Sequence, residues 1–153
     1  RDGLIFVTGG YGAGGRLLRI GPRSESVSEA WAGGDLDNCH AGVVLLGDSL
    51  YGSGCRQSEK GFICVDFLTG KTRWTDREVW KVTPTHADGK LYCLGHEGRM
   101  MLVEADPKGC RIVSSFDLPS SDKYDCLAHP VVRGGRLYVR QGPTLLAYDV
   151  RGK

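Results

Sequence analysis

Gly89-Lys90-Leu91-Tyr92 recurs in outline three more times, as Gly3-Leu4-Ile5-Phe6, Asp48-Ser49-Leu50-Tyr51 and Gly135-Arg136-Leu137-Tyr138. Each is a turn residue, a spacer, an aliphatic and an aromatic. The aliphatics Ile5, Leu50, Leu91 and Leu137 stand 45, 41 and 46 residues apart. A glycine-rich turn follows each, and then a second apolar run: Arg16 to Ile20, Gly61 to Asp66, Met100 to Glu104 and Thr144 to Asp149. Polar residues lead on to a third run ending in an aromatic, Trp31, Trp74 or Phe116. A fourth run, Ala41 to Leu46, Lys81 to His86 or Ala128 to Arg133, opens the next unit. No stretch sustains helical periodicity, so these runs read as short strands.

Four strands in every 41 to 46 residues is the pattern of a β-propeller blade. With the strands of a blade lettered A (innermost) to D (outermost), residues 1–34 read as B, C and D. Residues 35–77 and 78–118 read as two whole blades, and 119–153 as A, B and C. The expectation is an all-β chain forming one β-propeller segment, an arc of about three and a half four-stranded blades. An arc this short cannot close, and it leaves apolar blade faces and sheet edges open. The remaining blades, or other chains completing the ring, are therefore expected partners.

Composition narrows the function classes. The 153 residues carry 20 Lys and Arg against 18 Asp and Glu, a net charge of +2. That balance lacks the basic excess of a nucleic-acid binder. The longest apolar run, Ala41 to Leu46, is six residues, far short of a membrane span. Glycine supplies 23 residues, about twice the usual share, which fits many tight turns. The chain starts Arg1-Asp2-Gly3 with neither a methionine nor a signal peptide, so it reads as processed or as a piece of something longer. The six cysteines include no C-x-x-C pair and read as buried or incidental loop thiols.

The second unit contains Asp66-Phe67-Leu68-Thr69-Gly70-Lys71-Thr72-Arg73-Trp74. This resembles the D-x-x-T-G-K-x-x-W signature of the pyrroloquinoline-quinone (PQQ)-like propeller repeat, the quinoprotein alcohol dehydrogenase-like family. In the other units the signature is degenerate. Thr8 to Gly12, Leu36 to Val44 and Ala128 to Val132 are also similar to an uncharacterised secreted bacterial branch of that family. The resemblance implies a larger ring of seven or eight blades and a periplasmic or extracellular location. It also implies where to look for chemistry: adjacent cysteines, calcium ligands, an aspartate base and a tryptophan over the quinone. This chain has no Cys-Cys pair. No cofactor is evident here, and PQQ with calcium would require a site supplied by the missing blades.

Gly10-Tyr11-Gly12-Ala13-Gly14-Gly15 matches G-x-G-x-x-G, with Asp35 twenty residues on. A dinucleotide site needs a helix after it. Gly21-Pro22 follows only five residues later and forbids one, so the stretch reads as a B–C loop. There is no G-x-S-x-G or H-E-x-x-H motif. The candidate site comes from topology instead. In a propeller, D–A and B–C loops share one face, and residues just before each strand A converge on the channel mouth. That places Asp37, Asn38, His40, Trp80, Lys81, Tyr124 and His129 together as a ligand-binding set. The competing reading is that Asp37 and Asn38 serve turns and the histidines satisfy local backbone. His86 and His96 read as structural. The expected function is ligand or protein binding, with no catalysis evident in this segment. The alternative is a segment of a PQQ-dependent alcohol-dehydrogenase-like oxidoreductase.

Overall fold

A computed structural model describes residues 1–55, 60–79, 81–119 and 125–152. It contains fourteen strands in four antiparallel sheets, and the fold is an all-β propeller arc. The first sheet is β1 (Leu4–Gly9), β2 (Gly14–Ile20) and β3 (Val27–Gly33). The second is β4 (Val44–Leu46), β5 (Ser49–Ser53), β6 (Phe62–Asp66) and β7 (Thr72–Asp76). The third is β8 (Val82–Ala87), β9 (Lys90–Gly95), β10 (Arg99–Glu104) and β11 (Ile112–Asp117). The fourth is β12 (Val131–Arg133), β13 (Arg136–Gln141) and β14 (Thr144–Asp149). Within each sheet the strands pair in sequence order. The described residues contain no α-helix, only one turn of 3-10 helix at Pro22–Ser24. The glycine-rich stretch after β1 runs directly into β2, so no dinucleotide-type helix follows it.

Local chemistry sets the strand ends. Asp88 and Gly89 join β8 to β9 with φ of 49° and 71°, the paired left-handed values of a tight hairpin turn. In the second sheet, Asp66 organises the turn between β6 and β7. Its Oδ1 accepts from the Leu68 and Thr69 amides at 3.0 and 2.8 Å and from the Thr69 hydroxyl at 2.9 Å. Arg73 donates to the other oxygen at 2.6 Å. These contacts, with Arg73 the largest cause, hold the Asp66 carboxyl at about 2. So the Asp, Thr and Gly of the nine-residue signature form a turn-building device.

The core lies between blades. Leu17, Leu50, Ile63 and Phe67 pack the first sheet on the second. Tyr51, Phe62, Val82, Leu91 and Val103 pack the second on the third. Leu94, Met100, Leu137 and Val139 pack the third on the fourth. The alternation of the starting motif explains this. Leu91 and Leu137 face the preceding blade, while Tyr51 and Tyr92 face the following one.

Strand D carries a further regularity. Each of β3, β7 and β11 has a one-residue bulge at the same register. Leu17 faces Trp31, Cys64 faces Trp74 and Leu102 faces Ser114, and the next pairs are Leu18–Glu29, Val65–Thr72 and Val103–Ile112. A bulge re-aims the side chain beside it. Trp31 and Trp74 are equivalent, as the sequence reading has them. Phe116 is not their counterpart. It lies two residues further along, opposite Met100, and Ser114 holds the tryptophan position in the third sheet.

Candidate functional site

The D–A and B–C connections meet on one face. There they enclose a cavity of about 140 Å³ whose lining includes Tyr11, Asn38, His40, Lys81, Thr83 and Cys126. Tyr11 comes from the β1–β2 loop, and Asn38 and His40 from the β3–β4 connection. Lys81 precedes β8, and Cys126 precedes β12. Three D–A connections therefore contribute to one pocket, as the topology argument requires.

The pocket floor is built by groups whose polar atoms are already engaged. Asp37 is buried; its carboxylate accepts from the Gly12 amide at 3.1 Å and the Cys55 amide at 3.2 Å, and it pairs with Lys60 at 3.0 Å. One carboxylate thus ties the β1–β2 loop to the β5–β6 loop. Asn38 is also buried. Its amide donates to the Thr8 hydroxyl at 3.0 Å, and its side chain donates to the Ser53 carbonyl at 3.1 Å. Cys39 and Cys55 are disulfide-bonded with Cα atoms 5.3 Å apart, joining the β3–β4 connection covalently to the β5–β6 loop. A Cβ at Gly10 would lie 2.5 Å from the Cys39 sulfur and 3.0 Å from that of Cys55. The glycine-rich loop is glycine-rich there because the disulfide lies against it.

The rim is cationic and aromatic. His40 and Tyr11 are exposed, and Lys81 is half-buried. Lys81 has φ of 47°, a left-handed conformation costly for a side chain of its size. Its carbonyl accepts from the His96 amide at 3.2 Å, which fixes that conformation. His96 stands on the β9–β10 loop, and its carbonyl accepts from the Cys126 amide at 2.9 Å. Burial pushes the His96 pKa below its ordinary value, and the Lys81 and His40 charges push the same way. Glu97 and Asp125 act in the opposite direction and lose.

The sequence-derived set is therefore split. Asn38, His40 and Lys81 are brought together around the cavity. Asp37 is outside the lining and holds the amide of Cys55, which is part of it. His129 is outside the lining, with its ring against the Cα of Gly42, where an added Cβ would come within 2.5 Å. Trp80 and Tyr124 lie outside the described residues. Sequence reasoning missed the Cys39–Cys55 bond and Lys60. His96, which reads as structural from the sequence, lies outside the lining and links Lys81 to Cys126 through its backbone. The disulfide had no signal in the sequence, because its partners are sixteen residues apart in two different loops. The other four cysteines are free thiols; Cys64, Cys93 and Cys126 are buried, Cys110 partly so, and burial raises the pKa of all four. Among the described residues no group of three or more His, Cys, Asp or Glu is placed to hold a metal ion. No helix among them is long and apolar enough to cross a membrane.

No family model matches the chain. No curated protein matches it by sequence. Among solved structures 38 chains match. One is BamB from Moraxella catarrhalis, with a TM-score of 0.62 at 17% identity. The match covers 96% of this chain and 42% of that one, so the chain spans less than half the length of this neighbour. At that identity the likeness shows the fold, a partial propeller, and nothing finer.

Proposed function

We propose that this chain is part of a ligand- or protein-binding propeller that reads its ligand at the mouth formed by the D–A and B–C loops. The observation that carries this is the convergence of three D–A connections on one cavity, with a floor tied by Asp37 and the Cys39–Cys55 bond. A rigid floor beneath charged and aromatic rim groups is the arrangement a small ligand needs. Asn38, His40 and Lys81 are the contact residues, and Asp37 and His129 hold the loops that carry them. A lysine and an imidazole favour an anionic or hydroxylated ligand. The proposal gives no cofactor to these residues, and PQQ with calcium would have to be held by further blades.

Further propeller blades complete the ring in this reading. The outer face of β1 presents Ile5 51% exposed, where its counterparts Leu50, Leu91 and Leu137 are buried. Such a face is a blade interface without its neighbour. The 42% share of the solved neighbour supports a larger ring, of the seven or eight blades that the repeat resemblance implies. A disulfide between two loops supports an oxidising compartment, the periplasm or outside the cell.

The test is an amide chemical-shift titration of the labelled chain with acetate, inorganic phosphate and glucose. Shifts are expected at residues 38–41 and 81–83 for at least one probe. The double variant His40→Ala, Lys81→Gln should lose them while keeping its thermal midpoint. The proposal fails if all three probes leave these amides unmoved, or if the double variant responds as the parent does.

A further inference from the structure

On the outer rim, away from the mouth, a second cavity of about 230 Å³ lies between the third and fourth sheets. Its lining includes Tyr92, Met100, Leu102, Ser114, Phe116 and Val150. We propose that this cavity receives a tryptophan side chain from an extended segment of a partner polypeptide.

The argument is internal to the molecule. At the two preceding interfaces the same place is filled by this chain's own indole. Trp31 lies against Phe6, with ring centroids 5.6 Å apart, and its Nε1 donates to the Phe67 carbonyl at 2.9 Å. Trp74 lies against Tyr51 and Phe62 at 6.1 and 5.6 Å, and its Nε1 donates to the Asp106 carbonyl at 3.0 Å. Each indole therefore crosses to the next blade and donates to a carbonyl just past that blade's strand C. Both follow the strand D bulge, and the residue there in β11 is Ser114.

The rest of the socket is retained. Tyr92 faces Leu102 as Phe6 faces Leu17 and Tyr51 faces Cys64. Val150 follows Asp149 at the end of β14 as Phe67 follows Asp66 at the end of β6. Phe116 does not substitute. It turns onto Tyr148, with centroids 4.8 Å apart, remains 39% exposed and leaves the cavity open beside it. Serine cannot fill a space shaped for an indole, so an apolar volume remains at an otherwise packed interface.

Three features select the occupant. The cavity continues the apolar layer between the third and fourth sheets, so an aromatic ring there extends an existing core. Arg151 also lines it, and a guanidinium favours an aromatic face. The entrance lies along β11, which is the edge of its sheet, with Ile112 and Val113 39% and 42% exposed. An extended polypeptide can pair with such an edge and direct alternate side chains inward. A chain laid there delivers the indole from the side on which β3 and β7 deliver theirs.

The natural probe is a peptide copying Thr72-Arg73-Trp74-Thr75-Asp76, the segment that fills the socket one blade earlier. Added to the whole chain, it should raise the thermal midpoint by about 4 °C at saturation. It should also shift the amides of residues 112–116 and 150–152. The same peptide carrying Trp74→Ala should do neither. In the chain itself Ser114→Trp should raise the midpoint without peptide and abolish the response. Amide mapping on the parent chain gives an answer even where that variant does not fold. The proposal is overturned if the parent ignores the peptide or if the alanine peptide acts equally. It is also overturned if a folded Ser114→Trp chain responds undiminished, or if free indole binds and the peptide does not.

Discussion

The outer rim and the mouth of this arc are built on opposite rules. At the outer rim the three strand D bulges fall at one register, and Trp31 and Trp74 each donate across to a carbonyl just past strand C of the next blade. At the mouth the described parts of the connections differ. The β3–β4 connection carries a buried aspartate and a disulfide, and the one before β8 carries a lysine in a left-handed conformation. Repetition at the rim reflects one packing problem solved repeatedly, since each blade must bury its face on the next. Variation at the mouth is free of that constraint, and there a site can differ without opening the core. Stability should therefore be lost mainly by substitution at the rim, and recognition by substitution at the mouth.

The largest effect that would sharpen this contrast is expected at Trp74. The ring packs on Tyr51 and Phe62 and bonds across to the next blade, so Trp74→Ala leaves both a cavity and an unpaired carbonyl. A loss of about 3–5 kcal/mol is expected from denaturant titration. An unchanged midpoint would break the comparison, because it would mean the second and third blades hold together without this contact.

Much of the rim was legible in the sequence, and little of the mouth was. Strand count, order and grouping follow from a spacing that every unit repeats, and the Asp66-to-Trp74 signature marks its own turn and its own anchor. The misreading of Phe116 shows the limit. A bulge adds one residue to a strand without altering its composition, so the aromatic nearest the strand end was matched with Trp31 and Trp74 although Ser114 holds their register. At the mouth, topology was enough to gather Asn38, His40 and Lys81. It could not show that Asp37 spends its oxygens on two loop amides and Lys60, because those partners are long-range and nonrepeating. His96 reads as structural from the sequence, and its backbone bonds to Lys81 and Cys126 are likewise long-range contacts that the spacing does not carry.

A smaller rim effect is expected at Asp66. Its carboxyl is held at about 2, below the ordinary carboxylate value, chiefly by Arg73. The unfolded chain therefore takes up a proton at a higher pH than the folded one does. The stabilisation is fully present above about pH 4 and is lost as pH falls through 2. Because the side chain is partly solvated, its worth is about 1–2 kcal/mol. Asp66→Asn should cost that much at neutral pH and flatten the acid limb of the stability profile. An acid limb of the same depth in the variant would remove Asp66 from the turn-building role.

The smallest effect in stability lies at the mouth, and it reports directly on the site. The His96 pKa is lowered by burial first and by Lys81 second. A lowered folded value means that stability from the neutral imidazole is present above the ordinary histidine value of about 6.5. It is lost as pH falls through the lowered value. Glu97, 3.7 Å away, and Asp125 oppose the shift, while His40 reinforces it. An imidazole titration by proton NMR should place His96 below the free residue. Lys81→Gln should move it partway back, because burial remains when the lysine charge is gone. High salt should act in the same direction, since it screens the charge and leaves burial intact. An anion bound beside Lys81 should act in the same direction, by offsetting its charge. A His96 pKa at the free value, indifferent to Lys81→Gln, would separate it from the rim cations and remove the electrostatic basis for an anionic ligand there.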